Sequence, residues 1–142
     1  MYKKSVGFEL RKLSNLMKRQ VDKFFLDDDG AATGMHGIII GYLVENQDRI
    51  VLQRDFEEEF MMRRSSASRI LQLMEKSGFI TRESVDGDAR LKKILLTDKA
   101  MRIHERAEEN LKLIEEKLIR DISESDLETF FAVVEKMKHN LL

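Results

Sequence analysis

Between residues 63 and 69 the chain sets Arg63, Arg64, Ser65, Ser66, Ser68 and Arg69, long cations interleaved with short hydroxyls. Such groups do little bond-making chemistry alone. What they do well is hydrogen-bond to anions and to base edges. An arginine fork spans two acceptors of guanine, and a serine hydroxyl bonds a phosphate or a base. The segment that follows, Arg64 to Ser77, reads as a helix, because Ile70, Leu71, Leu73 and Met74 recur at helical spacing and should face a core. Its cationic end is also its N-terminal end, where the dipole and free N–H groups favour phosphate.

The flanking residues must position that helix. Leu52 to Phe60, with Leu52, Phe56 and Phe60 at i, i+4 and i+8, reads as a supporting helix. Gly78 stops the basic helix. Phe79 to Val85 and Leu91 to Leu96 then read as two short strands around a turn, Asp86-Gly87-Asp88-Ala89-Arg90, and Ile50-Val51 as a short strand pairing with them. Helix, turn, basic helix, strand, turn, strand is the order of a winged helix-turn-helix. Lys92 and Lys93 on the second strand suit phosphate rather than base edges.

Ser68 to Thr97, SRILQLMEKSGFITRESVDGDARLKKILLT, resembles the MarR family of bacterial transcription regulators. The Asp-x-Arg pair of that family's wing matches Asp88 and Arg90, and its closing Leu-Thr step matches Leu96 and Thr97. The resemblance extends over nearly the whole chain through its length and flanking helices. It implies a homodimer that binds double-stranded DNA, with Arg90 in a minor groove and Asp88 holding Arg90 in place. It also implies a small aromatic or lipophilic effector bound between the dimer helices and the reading module, a region in which Met17, His36 and Tyr42 fall. One departure stands out. The turn before the recognition helix commonly holds glycine, and here Met61-Met62-Arg63 replaces it. A left-handed methionine is costly, so a reshaped turn is expected.

Composition narrows the function. In 142 residues there is no proline to interrupt long helices and no cysteine, so neither disulfides nor thiol chemistry is available. No apolar run approaches the ~18 residues of a membrane span, and the N-terminus has no signal-like apolar block, so a cytoplasmic protein is expected. Net charge is −1, but residues 61–93 hold eight Lys/Arg against four Asp/Glu, a local +4. Residues 1–60 carry −2 and residues 94–142 carry −3. Positive charge is thus confined to the presumed reading module, the footprint of a nucleic-acid binder. No nucleophile motif, phosphate-cradling glycine loop or HExxH is present, so no enzyme is expected. His36, His104 and His139 are scattered along the chain and read as structural or surface residues, with no metal and no cofactor implied.

The remaining segments read as helices. Ser5 to Leu26 is amphipathic, Asp27-Asp28-Asp29-Gly30 is a solvated loop, and Thr33 caps Gly34 to Glu45. In that second helix Ile38, Ile39 and Ile40 should be buried, and Gly37 and Gly41 should admit a close neighbour. Thr97 caps a helix from Asp98 to about Asp121, and Ser123-x-x-Asp126 opens a last one ending near Leu141. Their apolar stripes exceed what one chain can cover, so residues 1–28 and 98–142 are expected to dimerise around a winged module at 33–97, all within one domain, 1–142. The fold class expected is mainly α with a small antiparallel β wing, a winged helix-turn-helix flanked by N- and C-terminal dimerisation helices. The function expected is a ligand-responsive repressor on a pseudo-palindromic operator. A winged-helix module for protein–protein contact alone is the alternative, disfavoured by the charge of helix and wing.

Overall fold

Among the described residues, Phe56, Phe79, Ile39, Ile40, Leu71, Met74 and Ile80 are the large side chains wholly removed from solvent, and all belong to the central part of the chain. A computed structural model describes residues 4–25 and 34–142. Along these run α1 (Val6–Phe25), α2 (Gly34–Glu45), α3 (Gln53–Glu59), α4 (Arg64–Lys76), β1 (Ile80–Val85), β2 (Asp88–Leu96), α5 (Asp98–Leu118) and α6 (Glu124–Leu141). The acidic loop at 27–30 and the cap expected at Thr33 lie outside the described residues. The core joins α2, α3, α4, the sheet and the first half of α5, through Ala100, Ile103 and Ala107. This is a mainly α fold with a small β wing, as the sequence pattern predicts.

The basic helix α4 buries Ala67, Leu71 and Met74 and half-buries Ile70. Leu73, expected in the core, is instead 51% exposed, because it lies on the turn of the helix that faces away from Leu71 and Met74. Gly78 ends the helix with φ +81. There Phe79 N–H donates to Met74 C=O (2.9 Å) and Gly78 N–H to Glu75 C=O (3.1 Å), the paired bonds of a Schellman ending. Phe79, carried into the core by that ending, packs in the same buried cluster as Met74.

The same ending recurs one helix earlier with a different residue. Met62 N–H donates to Glu57 C=O (2.9 Å) and Met61 N–H to Glu58 C=O (3.3 Å). Met61 takes φ +50, the left-handed conformation that glycine adopts freely. The turn is therefore not reshaped. The backbone keeps its path and the methionine bears the steric cost.

Three further expectations are corrected. Ile38 is exposed, since α2 buries only the face of Ile39, Ile40 and Leu43. A Cβ built on Gly41 meets nothing within 4 Å, so no element approaches closely there. Ile50-Val51 forms no strand. Val51 C=O accepts from Ile94 N–H (2.8 Å), and one isolated bridge joins Leu52 to Lys93.

The wing is also tighter at its turn than the sequence implies. The strands pair antiparallel from Ile80↔Leu96 to Ser84↔Lys92, then jump to Val85↔Asp88. Only Asp86-Gly87 forms the turn, with Gly87 at φ +86, and the register skips Ala89, Arg90 and Leu91. A skipped stretch of this kind bends its strand and re-aims the side chains it carries. The carboxy-terminal helices are capped as their sequences predict. Thr97 Oγ1 accepts from Ala100 N–H (3.2 Å) and Ser123 Oγ from Asp126 N–H (3.0 Å). α5 ends at Leu118, three residues early, and Asp121 turns the chain with φ +60.

Candidate nucleic-acid interface

Between α3, α4 and the wing lies a cleft of about 450 Å³. α3 and its cap contribute Leu52, Gln53, Arg54 and Glu57; α4 contributes Arg64 and Ser68; the strands contribute Arg82, Arg90, Leu91 and Lys92. Five cations thus face one carboxylate across a single hollow. Local structure explains how they converge. α3 and α4 are joined by the short turn at Met61, which sets the first turn of α4 beside the first turn of α3. Gln53 Nε2 reaches Arg64 C=O at 3.5 Å across that angle.

The N-terminus of α4 differs from those of α5 and α6. Its cap residue, Arg63, makes no side-chain hydrogen bond to the helix, although serines follow immediately. The first N–H groups of α4 therefore keep their capacity for an external acceptor, and cations stand beside them. Arg63, Arg64, Ser65, Ser66 and Arg69 are all exposed around this end, and Ser68 is half-buried in the cleft wall. Arg69 forms no ion pair among the described residues.

On the wing, Asp88 Oδ1 accepts from Arg90 N–H (2.9 Å) and stands 3.6 Å from Arg90 Nε. The carboxylate thereby fixes the backbone of the skipped stretch and faces the guanidinium base. The side chain beyond it is free, with the Arg90 side chain 94% exposed. Lys92 Nζ donates to Ser84 Oγ (2.9 Å) and stays within the cleft. Lys93 stands apart. Strand alternation turns it to the opposite side, toward Glu83 at 4.0 Å and a second hollow beside Gln47 and Val51.

Gln53, Arg54 and Arg82 join the cleft although sequence reasoning passed over them. For Arg54 a signal existed. A cation in the first turn of a helix opposes the dipole, so its presence there asks for another purpose. Arg82 gave none, because its cleft position follows from the strand register. It is also partly neutralised by Glu75, 3.4 Å away on α4.

The residues considered for an effector have different surroundings. Met17 lies on the exposed side of α1. His36 is buried and tilted against the Phe79 ring at 5.9 Å. Tyr42 packs edge-on to Phe60 and accepts from Arg49 Nη2 (2.9 Å). It borders a polar hollow with Asp55, Glu58 and Met61 that includes neither of the others. No group of three or more metal-ligating side chains occurs among the described residues. No described helix is long and apolar enough to cross a membrane.

Comparison with known proteins agrees with this architecture. The model of the MarR family matches residues 33–91, which include the cleft up to Leu91. The transcription regulator MarR from Oenococcus oeni is similar over 95% of this chain and 99% of its own, at 28% identity and a TM-score of 0.81. MepR of S. aureus, solved in complex with DNA, is 25% identical with 97% of each chain covered and a TM-score of 0.83. The heme sensor protein PefR from Streptococcus agalactiae, solved with heme, shares the fold at 24% identity and a TM-score of 0.65, over 92% of this chain and 87% of that one.

Proposed function

We propose that the chain is a DNA-binding transcription regulator of the MarR type, whose reading surface is the cleft of α3, α4 and the wing. The observation that carries the proposal is the convergence of Arg54, Arg64, Arg82, Arg90 and Lys92 on one hollow beside an uncapped helix end. Charge of this density on a protein of net −1 is matched by a polyanion with a groove. In this reading α4 enters a major groove, with Arg64, Ser65 and Arg69 toward base edges and Arg63, Ser66, Ser68 and Lys92 toward phosphates. Arg90, carried out on the bent strand, enters the adjacent minor groove, where a narrow A·T-rich stretch concentrates negative potential. That the similar S. aureus protein was solved in complex with DNA supports DNA as the partner.

The regulator acts as a homodimer, with residues 1–28 and 98–142 as its dimerisation segments and 33–97 as its reading module. A two-fold dimer reads a pseudo-palindrome with half-sites roughly 10 bp apart. Bound near a promoter it occludes polymerase, so repression is the outcome we assign. With no thiol in the chain, release comes from a small non-covalent ligand that favours a dimer with mis-spaced recognition helices. The heme complex of the S. agalactiae protein is a precedent for an effector on this fold.

Titration of a labelled random duplex at increasing salt tests the reading. Affinity should fall steeply, by about three orders of magnitude between 50 and 200 mM salt if some six phosphates are contacted. An affinity flat with salt, or absent throughout, would leave the protein–protein module as the better account.

A further inference from the structure

We propose that Lys99, working beside Thr97, is a positioning residue that fastens the C-terminal end of α4 to the first turn of α5, so that the recognition helix tilts only with α5. The proposal deepens the reading of α4 as the helix that reads DNA. It starts from an accounting of carbonyls. The Schellman bonds satisfy Met74 and Glu75, and Ser77 N–H occupies Leu73 C=O (2.9 Å). Beyond Lys76, the carbonyls of Ser77 and Gly78 are taken by side chains from α5 and its cap instead. Lys99 Nζ donates to Ser77 C=O (3.0 Å), and Thr97 Oγ1 donates to Gly78 C=O (2.6 Å).

Each contact is reinforced. The Thr97 hydroxyl also caps α5, so one oxygen ties the end of one helix to the start of the other. Thr97 N–H donates to Phe79 C=O (3.2 Å). The Lys99 ammonium sits 5.0 Å from the centroid of the fully buried Phe79 ring. Its stem runs alongside Gly78, where an added Cβ would meet Lys99 Cδ at 3.8 Å. Lys99 has no carboxylate partner among the described residues. Its charge instead meets the negative end of the α4 dipole and the face of the Phe79 ring.

The consequence is leverage. α4 has 13 residues, so its reading end lies about 20 Å from this joint. A small tilt at the joint moves Arg64 and Ser65 relative to base edges, while phosphate contacts tolerate it better. Lys99 thus acts on specificity without touching DNA.

The test compares Lys99→Met, which keeps the stem and removes the ammonium, with Lys99→Arg, which keeps a cation. Thr97 is left intact because it also caps α5. Two measurements are made on the full chain: amide exchange of residues 77–80 in the free protein, and binding to a duplex selected from a random library beside an unselected one. Lys99→Met should speed exchange at Gly78 and Phe79 and weaken the selected duplex by about five- to tenfold, the loss of one charge-assisted bond. Its affinity for unselected duplex, and the salt slope there, should be unchanged, and Lys99→Arg should restore both readouts. Exchange and selective affinity equal to wild type in Lys99→Met overturn the proposal. So does a loss shared equally by unselected duplex with a shallower salt slope, which would make Lys99 a phosphate contact. If wild-type protein binds neither duplex, the DNA reading fails, and the exchange measurement still decides whether the joint exists.

Discussion

At the residue scale the wing and the helix turn carry separate costs. Arg90 has its backbone held by Asp88 and its side chain in solvent, so truncation removes a cation without disturbing the core. Arg90→Ala should weaken duplex binding by about 1–3 kcal/mol at constant melting temperature, as anisotropy titration and calorimetry would measure. Asp88→Ala should also weaken binding, although it removes a charge that DNA repels. Tighter binding in that variant would mean Asp88 does not position Arg90. Met61 presents the opposite case, strain without evident contact. Its side chain is 58% exposed and its φ is +50. Glycine there would relieve a left-handed penalty of roughly 1–2 kcal/mol, offset in part by greater freedom in the unfolded chain. Met61→Gly should therefore stabilise the protein by about 0.5–1 kcal/mol, raising the melting temperature by a few degrees. A lower melting temperature would show that the exposed methionine packs against something, and a partner molecule would be the place to look.

At the element scale, periodicity and caps were readable where a single chemical cue decided the outcome. Gly78, Thr97 and Ser123 each mark a helix boundary by the bond their residue type makes, and the boundaries fall where those residues stand. Burial was less legible. Ile38 and Leu73 are apolar and sit among buried neighbours, yet the helix rotates them outward, and only the packing partner determines which of four apolar residues faces it. The wing resisted reading for a similar reason. Its charged turn residues look alike in sequence, and the strand pairing alone sets Asp88 opposite Val85 and leaves Arg90 in the skipped stretch. Of the cleft, the cations on α4 and the wing were visible as a cluster in sequence. Arg54 and Arg82 reach it through the angle between α3 and α4 and through strand alternation, neither of which a one-dimensional pattern contains.

At the scale of the whole molecule, the buried core among the described residues lies in the central module and the first half of α5, while α6 contains no buried residue. Leu10, Leu13 and Leu16 form an exposed apolar stripe along α1, and Phe130 and Phe131 do so on α6, their rings 5.4 Å apart and edge-on. A chain that spends this much apolar surface on solvent gains by association, and in a two-fold dimer every such side chain is buried twice. Phe131, 60% exposed in the protomer, is the sharpest probe. Its remaining exposed area is worth about 1–2 kcal/mol per copy, so Phe131→Glu should weaken a dimer by roughly 2–4 kcal/mol, a thirty- to thousandfold rise in dissociation constant. The protomer should still fold, because Phe131 lies outside the buried cluster, and unchanged helical content by circular dichroism would establish that. Sedimentation should then show a dimer for the wild type at micromolar concentration and a monomer for the variant. On DNA the two losses separate. A monomer still holds one cleft, so its affinity for a single half-site should match that of the wild-type protein, while the advantage of two half-sites one helical turn apart should vanish. A wild type that sediments as a folded monomer across that range would remove the dimer, and with it any reason to expect a palindrome.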